Sequence, residues 1–252
     1  MKSMDNIDAP PHGVCGATLM DCPAPRPAYA TAQARTGEDH ARQLLCDPLT
    51  GLVAYPSFAE YLTEHLPALA RYGLHLAIGD VDDLREYVTL QRAENPTMFG
   101  HLAGNECMRR LGTITVDWAG RALSSWPFFL CGTFGGDEVI VAAAGCPYRS
   151  FLEEVACLQR AVTAGAPRTC SFSAGTLQTD GLRAGGGDTA YREFVSAVDR
   201  ALFTLKADLR RNGIRPRADL VDVGAVPVTT VADDPGPELL SGNVVMPIGG
   251  AA

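Results

Sequence analysis

Paired cysteines, zinc-type histidine motifs, long apolar runs and excess positive charge are all missing from this 252-residue chain. Its eight cysteines, Cys15, Cys22, Cys46, Cys107, Cys131, Cys146, Cys157 and Cys170, never form a C-x-x-C pair, and several sit in apolar runs. That argues against a zinc site or a disulfide framework, and reduced, buried thiols in a cytoplasmic protein are the expectation. The five histidines are scattered, with no H-E-x-x-H among them. No apolar stretch approaches the roughly 18 to 20 residues of a membrane span. The N-terminus lacks the basic and apolar segments of a secretion signal, so a cytoplasmic protein without a membrane segment is expected. A net charge of −8 argues against a nucleic-acid polymer or an anionic membrane as partner. It leaves room for a single nucleotide, which needs only a local group of cations.

What is present is an apolar content of 46%, enough for a full core, with proline and glycine gathered toward both ends. Residues 1–36 show no hydrophobic periodicity and are expected to be disordered or loosely packed. Residues 37–223 read as one domain and residues 224–252 as a flexible tail. The domain opens on a short stalk helix over 38–45 and the turn-rich Asp47-Pro48-Leu49-Thr50-Gly51-Leu52. An amphipathic helix follows, with Ser57 as N-cap and Phe58, Leu62, Leu66 and Leu69 at helical spacing. A strand over 74–78 leads to helices over about 83–94 and 99–123, separated by Asn95-Pro96. Apolar runs at 128–131 and 139–144 flank Phe134-Gly135-Gly136-Asp137-Glu138 and predict a β-hairpin. Then come a helix over 148–164, a strand over 169–177, an exposed glycine-rich loop over 180–188, a helix to about 211 and a closing strand over 218–223. The order βααββαβαβ predicts an α+β fold, a central and mostly antiparallel five-stranded sheet flanked by helices, related to the split βαβ plan.

The chemistry gathers on two acidic elements. Asp80 and Asp82 end the first strand, two residues apart and therefore on one side of it. Asp137 and Glu138 sit at the hairpin turn, where Gly135 and Gly136 supply positive φ and let another molecule approach the backbone. Alone, that turn reads equally well as a solvated surface loop. The second acidic element makes it a candidate site, provided the first strand pairs beside the hairpin. Four hard oxygen ligands of this kind suit Mg²⁺ (or Mn²⁺), which typically binds one or two carboxylates plus substrate phosphates. Arg85, Lys206 and Arg210 are the cations able to meet a triphosphate. The last two stand at i and i+4 on one helix face, where they could clamp one phosphate group or simply face water.

These pieces resemble a GGDEF domain, the catalytic domain of diguanylate cyclases. The matching segments run in family order over about residues 47–213: D-P-L-T-G-L at 47–52, D-V-D at 80–82, G-H-L-A-G at 100–104, G-G-D-E-V at 135–139, S-F-S-A-G at 171–175, and V-D-R-A-L-F-T-L-K at 198–206 followed by Arg210. The resemblance implies a magnesium-dependent reaction between two protomers of a homodimer, each holding one GTP. It closes a cyclic dinucleotide, cyclic di-GMP in the family, with release of pyrophosphate. Carried over by position, Asp80, Glu138 and the Val81 carbonyl would bind the metal, and Asp137 would assist the reacting ribose hydroxyl. Lys206 and Arg210 would hold the terminal phosphates, with Gly135 and Gly136 against the nucleotide. Asp82 has two readings, metal ligand or cap of the following helix.

Three departures bear on function. Leu84-Arg85 replaces the family's F-K pair, Val88 stands where its base-reading Asn is found, and the stretch 88–99 is longer by about eight residues, with Asn95 a potential substitute. Asn105 replaces the Asp that closes G-H-x-x-G-D. A carboxylate accepts from guanine's two adjacent donors, whereas an amide offers one acceptor and one donor and suits adenine or cytosine, so relaxed or altered base choice is expected. Trp126-Pro127-Phe128-Phe129 replaces the inhibitory R-x-x-D, and Thr133 replaces an Arg before the hairpin, so feedback inhibition at that site is expected to be absent. The alternative to a cyclase is a catalytically inactive GGDEF-like domain that binds a nucleotide and signals to a partner.

Overall fold

The computed structural model describes residues 31–34, 42–95, 100–123, 125–179 and 186–228. The expectations for 1–30, the start of the stalk, residues 96–99 of the long 88–99 stretch, the glycine-rich loop at 180–185 and the tail from 229 lie outside the described residues.

Apolar alternation and turn residues place the elements close to where periodicity puts them. In order they are β1 (Thr31–Ala34), β2 (Arg42–Leu45), β3 (Val53–Ala54), α1 (Tyr55–Arg71), β4 (Leu74–Val81), α2 (Leu84–Glu94) and α3 (Gly100–Ala122). There follow β5 (Phe128–Gly135), β6 (Glu138–Ala144), α4 (Tyr148–Gly165), β7 (Cys170–Gln178), α5 (Gly187–Arg211) and β8 (Leu220–Pro227). The sheet runs β3-β5-β6-β4-β7-β8. Its three inner pairings are antiparallel, and the two outer ones, β3 with β5 and β7 with β8, are parallel. The α+β class holds, with six strands where five were expected. The added strand is the two-residue β3, too short to carry a period-two pattern.

Three other expectations change. Arg42–Leu45, expected as the end of a helix, pairs antiparallel with Thr31–Ala34 in a separate two-stranded ribbon. The closing strand starts two residues later and runs four residues beyond 223, through Pro227, a proline tolerated because β8 is an edge strand. Ser57 caps nothing: α1 begins at Tyr55, and the Ser57 hydroxyl accepts from the Leu45 N–H at 3.2 Å.

The core lies on both faces of β4. Leu76 and Ile78 are buried on the face covered by α5, where Ser173 Oγ, opposite Ile78, donates to the Val198 carbonyl at 2.8 Å. His75 faces the other way, toward Tyr148 and Phe151 of α4. Gly79 has no room for a side chain: a Cβ there would run into the Phe172 ring. Among the described cysteines no disulfide forms, and four are buried, with the Cys131 thiol pushed up to about 12 by burial. No described helix is long and apolar enough to cross a membrane.

Candidate functional site

Strand alternation delivers the two acidic elements to one place. β4 and β6 pair so that Asp80 stands directly opposite Glu138, and even-numbered residues of both strands point to the α5 side. The hairpin turn is tied to β4 as well, because the Val81 N–H donates to the Asp137 carbonyl at 3.0 Å. Gly136, first of the two turn residues Gly136-Asp137, takes φ of 71°, which lets the turn match the twist of the strands, and Gly135, which ends β5, takes 90°. Thr133 braces this turn from inside a bulge: its hydroxyl donates to the Glu138 carbonyl at 2.8 Å and accepts from the Gly135 N–H at 3.1 Å.

The cleft at this end of β4 has a volume of about 590 Å³. Six carboxylates line it, from Asp80, Asp83, Glu86, Asp137, Glu138 and Asp199, against three cations, Arg85, Lys206 and Arg210. Asp80, Val81, Asp137, Glu138, Arg85, Lys206 and Arg210 therefore meet as the sequence suggests. Asn105, Gly135 and Gly136 are not among the lining residues; Asn105 is exposed on α3, and the two glycines have open space above them. Asp199 and Phe203 join the cleft without having been picked out from the sequence. The signal for Asp199 was available: it lies seven residues, two helical turns, before Lys206 on the same face of α5.

Lys206 is turned into the acids. Only 4% exposed, its ammonium donates to the Asp80 carboxylate and to the Asp80 carbonyl at 2.7 Å, and it lies 2.9 Å from Asp82 Oδ1. Burial opposes its charge, but the two carboxylates more than compensate and hold its pKa above the ordinary lysine value. Arg210 is looser, 3.8 Å from Asp83 with more than half its side chain exposed.

Asp82 is neither a helix cap nor a lining residue of the cleft. Wholly buried, its carboxylate accepts from Ser171 and Thr169 hydroxyls at 2.8 Å each and from the Ala218 N–H at 2.9 Å, in addition to Lys206. Burial works against its ionised form, yet the Ala218 bond and Lys206 outweigh it and keep the carboxyl below its usual range. Asp83, not Asp82, precedes α2, in a left-handed conformation with φ of 50° and no capping bond.

Glu138 and Asp80 are both raised by burial, and they differ in how much Lys206 offsets it. Burial, then the charges of Asp80, Asp199 and Asp137, push the Glu138 carboxyl up to about 7. Burial raises Asp80 too, against the pull of Lys206. The end of β4 thus holds more negative charge than its own cations neutralise. Among the described residues no three Asp, Glu, His or Cys side chains form a ready-made metal cage. Two facing carboxylates with surplus negative charge fit a cation that keeps most of its coordination for water and phosphate, which is how Mg²⁺ usually binds.

No protein-family model matches the sequence, and no curated protein sequence does either. Solved structures do. The GGDEF domain of DgcB from Caulobacter crescentus, in complex with c-di-GMP, is 16% identical with a TM-score of 0.52, over 71% of this chain and 92% of that one. The coiled coil and GGDEF domain of the same protein is 17% identical with a TM-score of 0.51, over 70% and 84%. Diguanylate cyclase SiaD in complex with its activator SiaC, from Pseudomonas aeruginosa, is 18% identical with a TM-score of 0.50, over 73% of this chain and 61% of that one. At these identities the likeness is one of architecture, and it is specific: the described residues have the fold of a GGDEF domain.

Proposed function

We propose that the cleft binds magnesium nucleoside triphosphates and that the protein is a nucleotidyl cyclase of the diguanylate cyclase type. It joins two triphosphates into a cyclic dinucleotide and releases pyrophosphate. The observation that carries this reading is the Asp80–Glu138 pair, opposite one another on adjacent strands and sharing a cleft with Arg85, Lys206 and Arg210.

In this reading Asp80, Glu138 and the Val81 carbonyl hold the divalent ion. When bound, that ion would neutralise phosphate charge and stabilise the negative charge that develops on the phosphoryl oxygens. Arg210 and Arg85, at the rim, bind the terminal phosphates, joined by Lys206. Asp137 stands at the tip of the turn, where it can orient the attacking ribose hydroxyl and accept its proton. The open space over Gly135 and Gly136 leaves the turn accessible to the nucleotide. Each cleft serves one nucleotide, so closing a ring needs two protomers, and a homodimer is the working form. The DgcB structure holds c-di-GMP and SiaD binds an activator; a cyclic dinucleotide product and an activating partner protein are the corresponding proposals here. Base choice is proposed to be relaxed, since Asn105 presents an amide where the family presents a carboxylate.

One observation favours a second reading, nucleotide binding without turnover: Lys206 is wholly engaged by Asp80 and Asp82. Incubating the purified full chain with Mg²⁺ and each nucleoside triphosphate, singly and mixed, separates the two. A dinucleotide and pyrophosphate by mass spectrometry are expected. No product from any mixture, with magnesium-dependent binding retained, would leave the second reading.

A further inference from the structure

Lys206 occupies the place a metal would contest. Its ammonium draws on the Asp80 carboxylate, one of the two acids that face each other across β4 and β6, and on the main-chain oxygen of the same residue. It is buried, and its second carboxylate, Asp82, is fixed by four donors in all and is out of reach of solvent. The lysine therefore keeps a position next to Asp82 while its hold on Asp80 is open to competition. A divalent ion entering the empty cleft meets a fixed positive charge bonded to its own ligand, and repulsion between like charges at this range is strong where water is scarce. A nucleotide changes the balance. Its phosphates give the ammonium new acceptors and bring further oxygen ligands for the ion.

We propose that Lys206 is the resident counter-ion of the Asp80–Asp82 pair and excludes divalent metal from the empty cleft, so that metal enters only together with a triphosphate. The inference rests on the nucleotide reading above and goes beyond it by giving the lysine a second role. That role lies in the order of binding, in addition to phosphate contact.

The test measures metal without nucleotide. Mn²⁺ is titrated into the 252-residue chain and free Mn²⁺ followed by electron paramagnetic resonance, for the unaltered chain, Lys206→Gln and Lys206→Met, with folding checked by circular dichroism. At least fivefold tighter nucleotide-free Mn²⁺ binding is expected in the neutral variants; equal or weaker binding overturns the inference. Should both variants fail to fold, acetylation of Lys206 in the unaltered chain, read by mass spectrometry, decides. Protection that survives millimolar Mg²⁺ alone is expected, and a severalfold rise in labelling on adding Mg²⁺ alone overturns it. A parallel titration with a non-hydrolysable GTP analogue keeps the two claims apart. Mn²⁺ retained with the analogue, together with nucleotide-free Mn²⁺ binding that the variants do not tighten, sinks the lysine inference alone, and no Mn²⁺ retained under any condition sinks the nucleotide reading with it.

Discussion

The two ends of β4 share their neighbours and differ in how charge is settled. At the start of the strand His75 is 3% exposed and both ring nitrogens are bonded, Nδ1 to the Thr176 hydroxyl at 2.9 Å and Nε2 to the Cys146 carbonyl at 2.8 Å. Beside it the Tyr148 hydroxyl donates to Asp222 at 2.6 Å and lies 2.8 Å from the Ala174 carbonyl. Each of these polar groups has a partner. At the other end Asp82 is settled in the same manner, but Asp80, Asp137, Glu138 and Asp199 crowd one cavity with Lys206 as the only buried lysine or arginine among the described residues. Buried polar groups that are satisfied hold a fold together, whereas like charges left crowded destabilise it and mark a place awaiting a ligand.

The largest effect belongs to Asp82. Asp82→Ala strips four donors of their acceptor and leaves Lys206 half-compensated, so a loss of about 3–5 kcal/mol in urea unfolding is expected. A loss under 1 kcal/mol would place Asp82 with the crowded acids. Next comes Glu138→Gln, expected to lower the rate of product formation by about 100-fold or more. The same change should raise stability at pH 8 by about 1 kcal/mol, after allowing for solvent screening of a half-buried group. A variant both active and less stable would remove the contrast.

The two ends also predict opposite pH responses. Burial holds His75 below its ordinary pKa, so the unfolded chain takes up its proton first, and stability falls as pH drops below about 6.5. Glu138 is raised from 4.5 to about 7, so its contribution is full below about 4.5 and lost as pH rises through 7. In metal-free buffer, His75→Phe should flatten the first slope and Glu138→Gln the second. The histidine change takes the side-chain donor from the Cys146 carbonyl and leaves the Thr176 hydroxyl only its 3.4 Å bond to the Leu74 carbonyl, costs about 1–3 kcal/mol and spares nucleotide binding. Smallest in stability is Arg210→Ala, within about 0.5 kcal/mol because its ion pair is exposed, with nucleotide affinity falling about tenfold.

Much of this was legible in the residues. Period-two and helical spacing locate β4 through α5, and the glycines at 135 and 136 announce the positive φ the turn adopts. Asp80, Glu138, Lys206 and Arg210 converge as the motif order implies. What spacing could not reveal is pairing. Val53–Ala54 is a strand only because β5 lies beside it, and Arg42–Leu45 only because Thr31–Ala34 does. The fate of Asp82 depends on Ser171, Thr169 and Ala218, from about 90 to about 135 residues away, and no local pattern joins them. Asn105 shows the opposite gap: its chemistry is readable, but its exposure on α3 leaves base contact to be tested through Asn105→Asp, expected to move preference toward GTP.

The measurement to make first is a calorimetric titration of the unaltered full chain at pH 8 with a non-hydrolysable GTP analogue and its ATP counterpart, with and without Mg²⁺. If the crowded acids at the end of β4 await a metal carried by a nucleotide, at least one analogue binds tenfold or more tightly when Mg²⁺ is present. Binding of equal strength in the two buffers, or none in either, would contradict that account.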